Sequence, residues 1–498
     1  MKPRELIEQR PEAGRISRRE LVRSGAVGAA ALTIPGLLSG CGGQTRRIPR
    51  TGGDPWKQFA GTTLNFISEN TPPTSAIAAN TKPFEQLTGI KVNIVQLELS
   101  AMVERVALDF ASGQGAYQVI YADPYQVIAP YHKALTDLNE FNTDRRLPHV
   151  QNLGDFIPIQ LEAAGKFQDP SKLYALPYDA PTMIWMYRKD LFAKYGSQMR
   201  RDLGFDPTPS EQTTWTQYLE MARWFNQHAT SDVAYGTGHM AKEHDSLMND
   251  FSNVLWAWGG DYFQRGDAVG RLGLENPGPI SLTSSKASQA ASFYRDLLKA
   301  AHPGSTGWDW TALSEAFGAG QVAMAPLWHE FTGDLEKGKL KGKIGFSLLP
   351  RGPVRSANMY GGTGLGVNGS APKDQQRAAW LFVVWATSKE TQLANLKSKA
   401  GGGTPTRRSV YDIPEVVKAR RPPSAMPNIL TYEAVTRAWQ PHNIGLRPKI
   451  PAWNECDSVI FSELSTMLAG GDTPSACLSN IASGMKQAVK TAQALQSA

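Results

Sequence analysis

Between residues 62 and 122 the chain alternates strand-like and helix-like segments, and this constrains its fold more than any other feature. Residues 62–68 (TTLNFIS) alternate apolar and polar side chains and read as a strand. A helical stretch over residues 75–87 ends at Thr88-Gly89, where glycine suits a helix stop. Residues 91–97 (KVNIVQL) form a second expected strand, and Met102, Val103, Val106, Ala107 and Phe110 line one helical face. Residues 117–122 (YQVIYA) form a third strand. A βαβαβ start buries both faces of its strands under helices, so an α/β fold with a parallel, doubly wound sheet is expected.

The same grammar returns later. Residues 182–188, 321–328 and 343–349 read as strands, residues 215–225 as an amphipathic helix, and Ala290 to Ala301 keep a helical stripe. Residues 455–468 and 474–495 are the clearest C-terminal helices, and no internal repeat is found. Trp380 and Trp385 stand in an apolar helical run and read as core, and Trp453 either lines the cleft or, the preferred reading, anchors the C-terminal helices. At 498 residues, with 41% hydrophobic and 19% charged, the chain supports two or three folded domains and is neither disordered nor a multispan membrane protein.

The formal charge of +7 is a weak lead to nucleic acid, because part of it belongs to the N-terminus. Arg18-Arg19 precede an apolar segment from Gly25 to Leu38, which ends in Leu38-Ser39-Gly40-Cys41. Fourteen residues are too few for a permanent span, which needs about twenty. The series resembles a twin-arginine export signal joined to a lipoprotein cleavage site, with Leu21 where phenylalanine is common. Residues 1–40 are therefore expected to be removed, Cys41 lipidated, and residues 41–60 to act as a tether with Trp56 and Phe59 docked on the body. Such a tether reaches on the order of 60 Å. The remainder carries 45 basic and 41 acidic residues, a balance of +4.

Catalytic signatures are missing: no G-x-S-x-G, H-E-x-x-H or Walker A pattern occurs. Gly364 to Gly369 satisfies G-x-G-x-x-G, but Leu365 and Val367 look like strand residues and a structural turn is expected. His239 and His244, near Glu243 and Asp245, read as solvated surface side chains, not as metal ligands. The run Lys337, Lys339, Lys341 and Lys343 lacks interleaved aromatics and reads as a solvated turn. No cofactor, metal or nucleic acid is expected. Cys456 and Cys477 could form a disulfide in an extracytoplasmic setting; two buried free thiols are the equal alternative.

What the chain offers instead is aromatic rings beside polar groups. Binding a sugar needs flat apolar surfaces for C–H faces and carboxylates, amides or guanidinium groups for hydroxyls. In an open α/β sheet these belong at the carboxyl ends of strands. The candidates are Glu69, Asn70, Asp123, Tyr178, Asp179, Trp256, Trp258, Trp328, Tyr360, Gly361, Gly362 and Arg407.

The segment Tyr174 to Asp179 (YALPYD), followed by Trp185 to Phe192 (WMYRKDLF), resembles the hinge and strand of family 1 extracellular solute-binding proteins, the carbohydrate receptors of ABC importers. Residues 84–92 (FEQLTGIKV), 317–324 (FGAGQVAM) and 403–411 (GTPTRRSVY) are similar to further family segments, in the family's order. The resemblance implies a two-lobed periplasmic-binding-protein fold of type II-like form. Residues 61–180 plus 361–405 would form one lobe and 181–360 plus 406–498 the other. Three hinge crossings would lie near 178–182, 358–362 and 403–407. It further implies a monomer without catalysis that closes on a sugar, expected to be a di- or oligosaccharide, and presents it to a membrane permease. Trp256, Trp258 and Trp328 would stack on rings; Glu69, Asp123, Asp179 and Arg407 would bind hydroxyls, and the Tyr360–Gly362 backbone would donate from the hinge. Two alternatives remain: an anionic ligand such as a glycerol phosphate derivative, met by Arg407, and an exported carbohydrate-cleaving enzyme using Glu69 and Asp123.

Overall fold

The computed structural model describes residues 53–497; the export segment, Cys41 and the first part of the tether lie outside them. In chain order the strands are β1 (Thr63–Glu69), β2 (Lys91–Leu97), β3 (Val119–Ala122), β4 (Ala175–Asp179), β5 (Met183–Arg188), β6 (Tyr235–Thr237), β7 (Val322–Trp328), β8 (Ile344–Ser347), β9 (Asn358–Met359), β10 (Thr363–Val367) and β11 (Ile444–Gly445). They form a five-stranded sheet of order β2-β1-β3-β10-β4, a four-stranded sheet of order β6-β7-β5-β8, and a short β9–β11 pair.

The opening alternation is found as read: β1 lies between β2 and β3, parallel to both. The expected helix over 75–87 is two helices, Pro72–Ala79 and Lys82–Thr88. Pro83 has no N–H for an uninterrupted helix but suits the first turn of a new one. Gly89 closes it at φ 73°, where a Cβ would stand 2.9 Å from that of Ala60.

Neither large sheet is wholly parallel. β10 runs antiparallel to β3 and β4, and β5 antiparallel to β7 and β8. The reason lies in how the chain passes between the sheets. β1, β3, β4 and β7 end at the space between the sheets, whereas β5 and β10 begin there, just after the crossings at 180–182 and 360–362. A strand that starts at that edge must run opposite to those that end at it. The G-x-G-x-x-G glycines flank β10 residues, as expected for a structural role.

Two cores follow the two sheets. Leu64, Phe66, Ile120, Leu176 and Leu365 pack with Trp380 and Phe382 in one, and Phe59 is buried there with Trp56 against it. Ile184, Trp185, Trp215, Phe251, Leu327, Trp453 and Ile460 build the other. No helix among the described residues is long and apolar enough to cross a membrane.

One expectation is corrected, at His239, and the open choice between a disulfide and free thiols is decided. His239 is fully buried, its Nδ1 2.8 Å from Asp250 Oδ2, because a polar triad with Tyr294 satisfies that carboxylate inside the second core. Cys456 and Cys477, on Trp453–Leu468 and Pro474–Ser497, are free and buried; the Cys477 thiol lies 3.4 Å from the Glu463 carbonyl.

Candidate functional site

A cavity with about 640 Å³ of atom-free space, its open mouth included, lies between the two large sheets. Strand ends build it: Glu69 ends β1, Asp123 follows β3, Asp179 ends β4 and Trp328 ends β7. Asn70 and Gly361 line it as well. These six are the sequence candidates that the fold brings together.

The strand ends hold their side chains by local chemistry. Asp123 caps the turn Pro124–Ile128, its Oδ1 accepting the N–H groups of Tyr125 (2.8 Å) and Gln126 (2.7 Å). Its Oδ2 faces Arg447 at 3.4 Å, and Arg447 reaches Asp245 at 3.9 Å on its other side. Glu69 accepts a hydrogen bond from the Tyr121 hydroxyl at 2.9 Å. Asp179 accepts the Thr404 N–H. Burial holds Glu69 up at about 8 and Asp179 at about 7, and holds Glu330, beside Asp179, well above the usual carboxylate range.

The remaining candidates stand elsewhere. Trp256 lies inside the helix Asp245–Ala257, edge-on to Tyr262 at 6.5 Å and against Gly445, where it fills the core. Trp258 packs on Phe293 at 4.5 Å, beyond that helix's end. Tyr178 and Tyr360 are buried; the Tyr178 hydroxyl lies 3.3 Å from Thr74 Oγ1, and the Tyr360 ring occupies the space a Cβ on Gly362 would need. The backbone N–H groups of Tyr360 and Gly361 are already given to Gly445 and Pro181, so neither serves a ligand. Arg407 is a structural tie: its Nε donates to the Thr387 carbonyl (2.6 Å), Nη1 to that of Gln151 (3.0 Å), Asp155 lies at 3.5 Å, and the guanidinium covers Phe156.

Tyr121, Asp245, Asn249, Trp310, Glu330 and Arg447 line the cavity and were missed. Glu330 stands two residues beyond β7 and was open to the same strand-end reasoning that found Trp328. Asp245 and Asn249 sit on a helix, and Arg447 on an irregular segment, with no periodic signal to mark them. Among the described residues no group of three or more His, Cys, Asp or Glu side chains is placed to hold a metal ion.

A mixed α/β pair of sheets with a polar, aromatic-walled cavity at their facing strand ends defines a two-lobed ligand-binding protein. Residues 79–422 match the model of the bacterial extracellular solute-binding protein family, and the chain belongs to that family. It is 24% identical over 433 residues to a probable amino-acid ABC transporter periplasmic-binding protein, y4oP, of Sinorhizobium fredii, covering 85% of this chain and 89% of that protein. It is 26% identical over 364 residues to the mannitol-binding protein of Pseudomonas aeruginosa, covering 70% and 74% respectively. The structure of an ABC transporter solute-binding protein from Agrobacterium radiobacter in complex with ribitol superposes with a TM-score of 0.70, at 21% identity, over 86% of this chain and 99% of that one.

Proposed function

We propose that this protein is the lipid-anchored, extracytoplasmic binding subunit of an ABC importer and captures a small polyhydroxylated ligand, a sugar or sugar alcohol, without catalysis. The observation that carries this reading is a single cavity walled by Trp328 and Trp310 and rimmed by Glu69, Asp123, Asp179, Asp245 and Glu330. Carboxyl groups accept hydroxyl donors, and flat rings cover C–H faces. The mannitol-binding relative supports it. Two tryptophans at one cavity suit one ring or one linear polyol; the oligosaccharide expectation leaned on Trp256 and Trp258, which point into packing instead. The proposed moving bodies are residues 61–180 with 361–405, and 181–360 with 406–498, a monomer tethered through Cys41.

An anionic ligand is disfavoured, because Arg447 is the one basic side chain among the lining residues and two aspartates already face it. Catalysis by Glu69 and Asp123 is disfavoured because both Asp123 oxygens are engaged.

Thermal unfolding of the full chain against sugars and sugar alcohols tests the reading. A true ligand at a hundredfold excess over Kd raises stability by about 2.7 kcal/mol and is recovered unchanged. Recovery of a shortened sugar, or stabilisation by phosphate esters alone, refutes it.

A further inference from the structure

The cavity has more buried acceptors than its own donors can satisfy. Of its five carboxyl side chains, Asp123 and Asp245 share Arg447. That leaves Glu69, Asp179 and Glu330 with no cation. Glu69 has the Tyr121 hydroxyl and Asp179 the Thr404 N–H, but Glu330, only 8% exposed, has an Oε2 with no hydrogen-bond partner. Asn249, 1% exposed, gives its Nδ2 to Asp245 Oδ2 at 3.1 Å, which leaves its Oδ1 unpartnered as well. Three unpartnered acceptors, Glu330 Oε2, Asn249 Oδ1 and Asp245 Oδ1, therefore belong to residues lining one cavity, against one unpartnered donor, Arg447 Nε. An unsatisfied buried acceptor costs about 1–3 kcal/mol, so a ligand that brings donors is favoured at each.

Resting on the reading of a polyhydroxylated ligand, we propose that this ligand also carries a protonated amine, seated between Glu330, Asp179 and Glu69. An ammonium supplies three donors and the missing positive charge at once. A neutral polyol supplies donors only and leaves two buried carboxyls, Asp179 and Glu330, and the half-buried Glu69 to be neutralised by protons. The rings of Trp328, Trp310 and Phe331 line the same cavity, and an aromatic face favours a cation where it would repel a phosphate. Burial, with repulsion from neighbouring carboxylates added at Glu69 and Glu330, raises Glu69 to about 8 and Asp179 to about 7 and pushes Glu330 well above the usual carboxylate range. The charges around them are Asp123, Asp245 and Glu98 near Glu69, and Asp179 and Glu69 near Glu330. Seating an ammonium there would release protons, and the affinity of an amine would rise with pH as those protons leave.

Calorimetry on the full chain with matched probes decides this: D-sorbitol against D-glucamine, D-glucose against D-glucosamine, with ethanolamine and sorbitol 6-phosphate as controls. The amine of a pair is expected to bind at least about tenfold more tightly than its neutral partner at about pH 7, where both amines are protonated, by the strength of a charge-assisted bond. The preference should narrow at about pH 5.5, with proton release seen as a buffer-dependent heat. Glu330→Gln should remove most of the preference, read as the ratio of amine to neutral affinity within the variant, and Asp179→Asn serves if that variant does not fold. Equal or tighter binding of the neutral probe, no proton release, or an unchanged preference in the variants overturns the amine and leaves the polyol reading standing. Ethanolamine binding as well as glucamine sinks the polyol reading and keeps the cation. No binding by any probe overturns both.

Discussion

Gly361 sits where the second crossing meets the aromatic wall of the cavity. A Cβ there would come within 2.8 Å of the Trp328 ring and 3.5 Å of the Pro181 carbonyl. Trp328 is pinned by its place at the end of β7, so the ring must turn toward the cavity to make room. Gly361→Ala should lower stability by about 1–3 kcal/mol, the usual result of overpacking, and weaken ligand binding by about tenfold through the displaced platform. Denaturant unfolding and calorimetry on the one variant separate the two effects. Retained affinity would show that the ring is wall only. Trp256 is the opposite case: its Trp-x-Trp-Gly-Gly context reads like a loop platform. Only the packing against Gly445 and Tyr262 reveals it as helix core.

At the scale of elements, the helix Trp215–His228 carries its start in local chemistry. Thr214 Oγ1 accepts the Gln217 N–H at 3.2 Å, and the Gln217 side chain accepts the Thr214 N–H at 2.9 Å. Thr214→Ala should cost about 1 kcal/mol by loss of this cap, read as a shifted denaturant midpoint with unchanged slope. The strands were legible for a similar reason: β2 was read to the residue, since alternation along one strand is local. The polarity of β5 and β10 was not, because direction is set by where a crossing delivers the chain.

At the scale of the molecule, one irregular segment holds the two sides of the cavity together. Ile444 and Ile450 belong to the second core, yet Arg447 reaches Asp123 after β3, and Lys449 gives its ammonium to the carbonyls of Glu162, Ala163 and Lys166 at the end of the helix Pro158–Gly165. Burial lowers Lys449 to about 7. His329 ties the crossings themselves: its Nδ1 accepts the Thr182 N–H at 3.0 Å while Nε2 meets Thr404 Oγ1 at 2.7 Å. Removing one member of a buried charge cluster leaves the rest uncompensated, typically at about 2–5 kcal/mol. Arg447→Ala should thus cut ligand affinity about a hundredfold or more and leave the ligand-bound protein more expanded in small-angle scattering. An unchanged radius and affinity would mean that the clasp does not govern closure.

The sequence by itself determined the strand and helix periodicity, the first parallel unit, and the strand-end carboxyls Glu69, Asp123 and Asp179, because these follow from local spacing and from where an α/β sheet exposes its strand ends. Tertiary structure alone decided that Arg407 is a tie and Arg447 faces the cavity, that His239 is buried, and that Glu330 is left without a donor. Each of those outcomes depends on which distant segment supplies a counter-charge, a packing surface or a hydrogen-bond partner, and no local pattern encodes that.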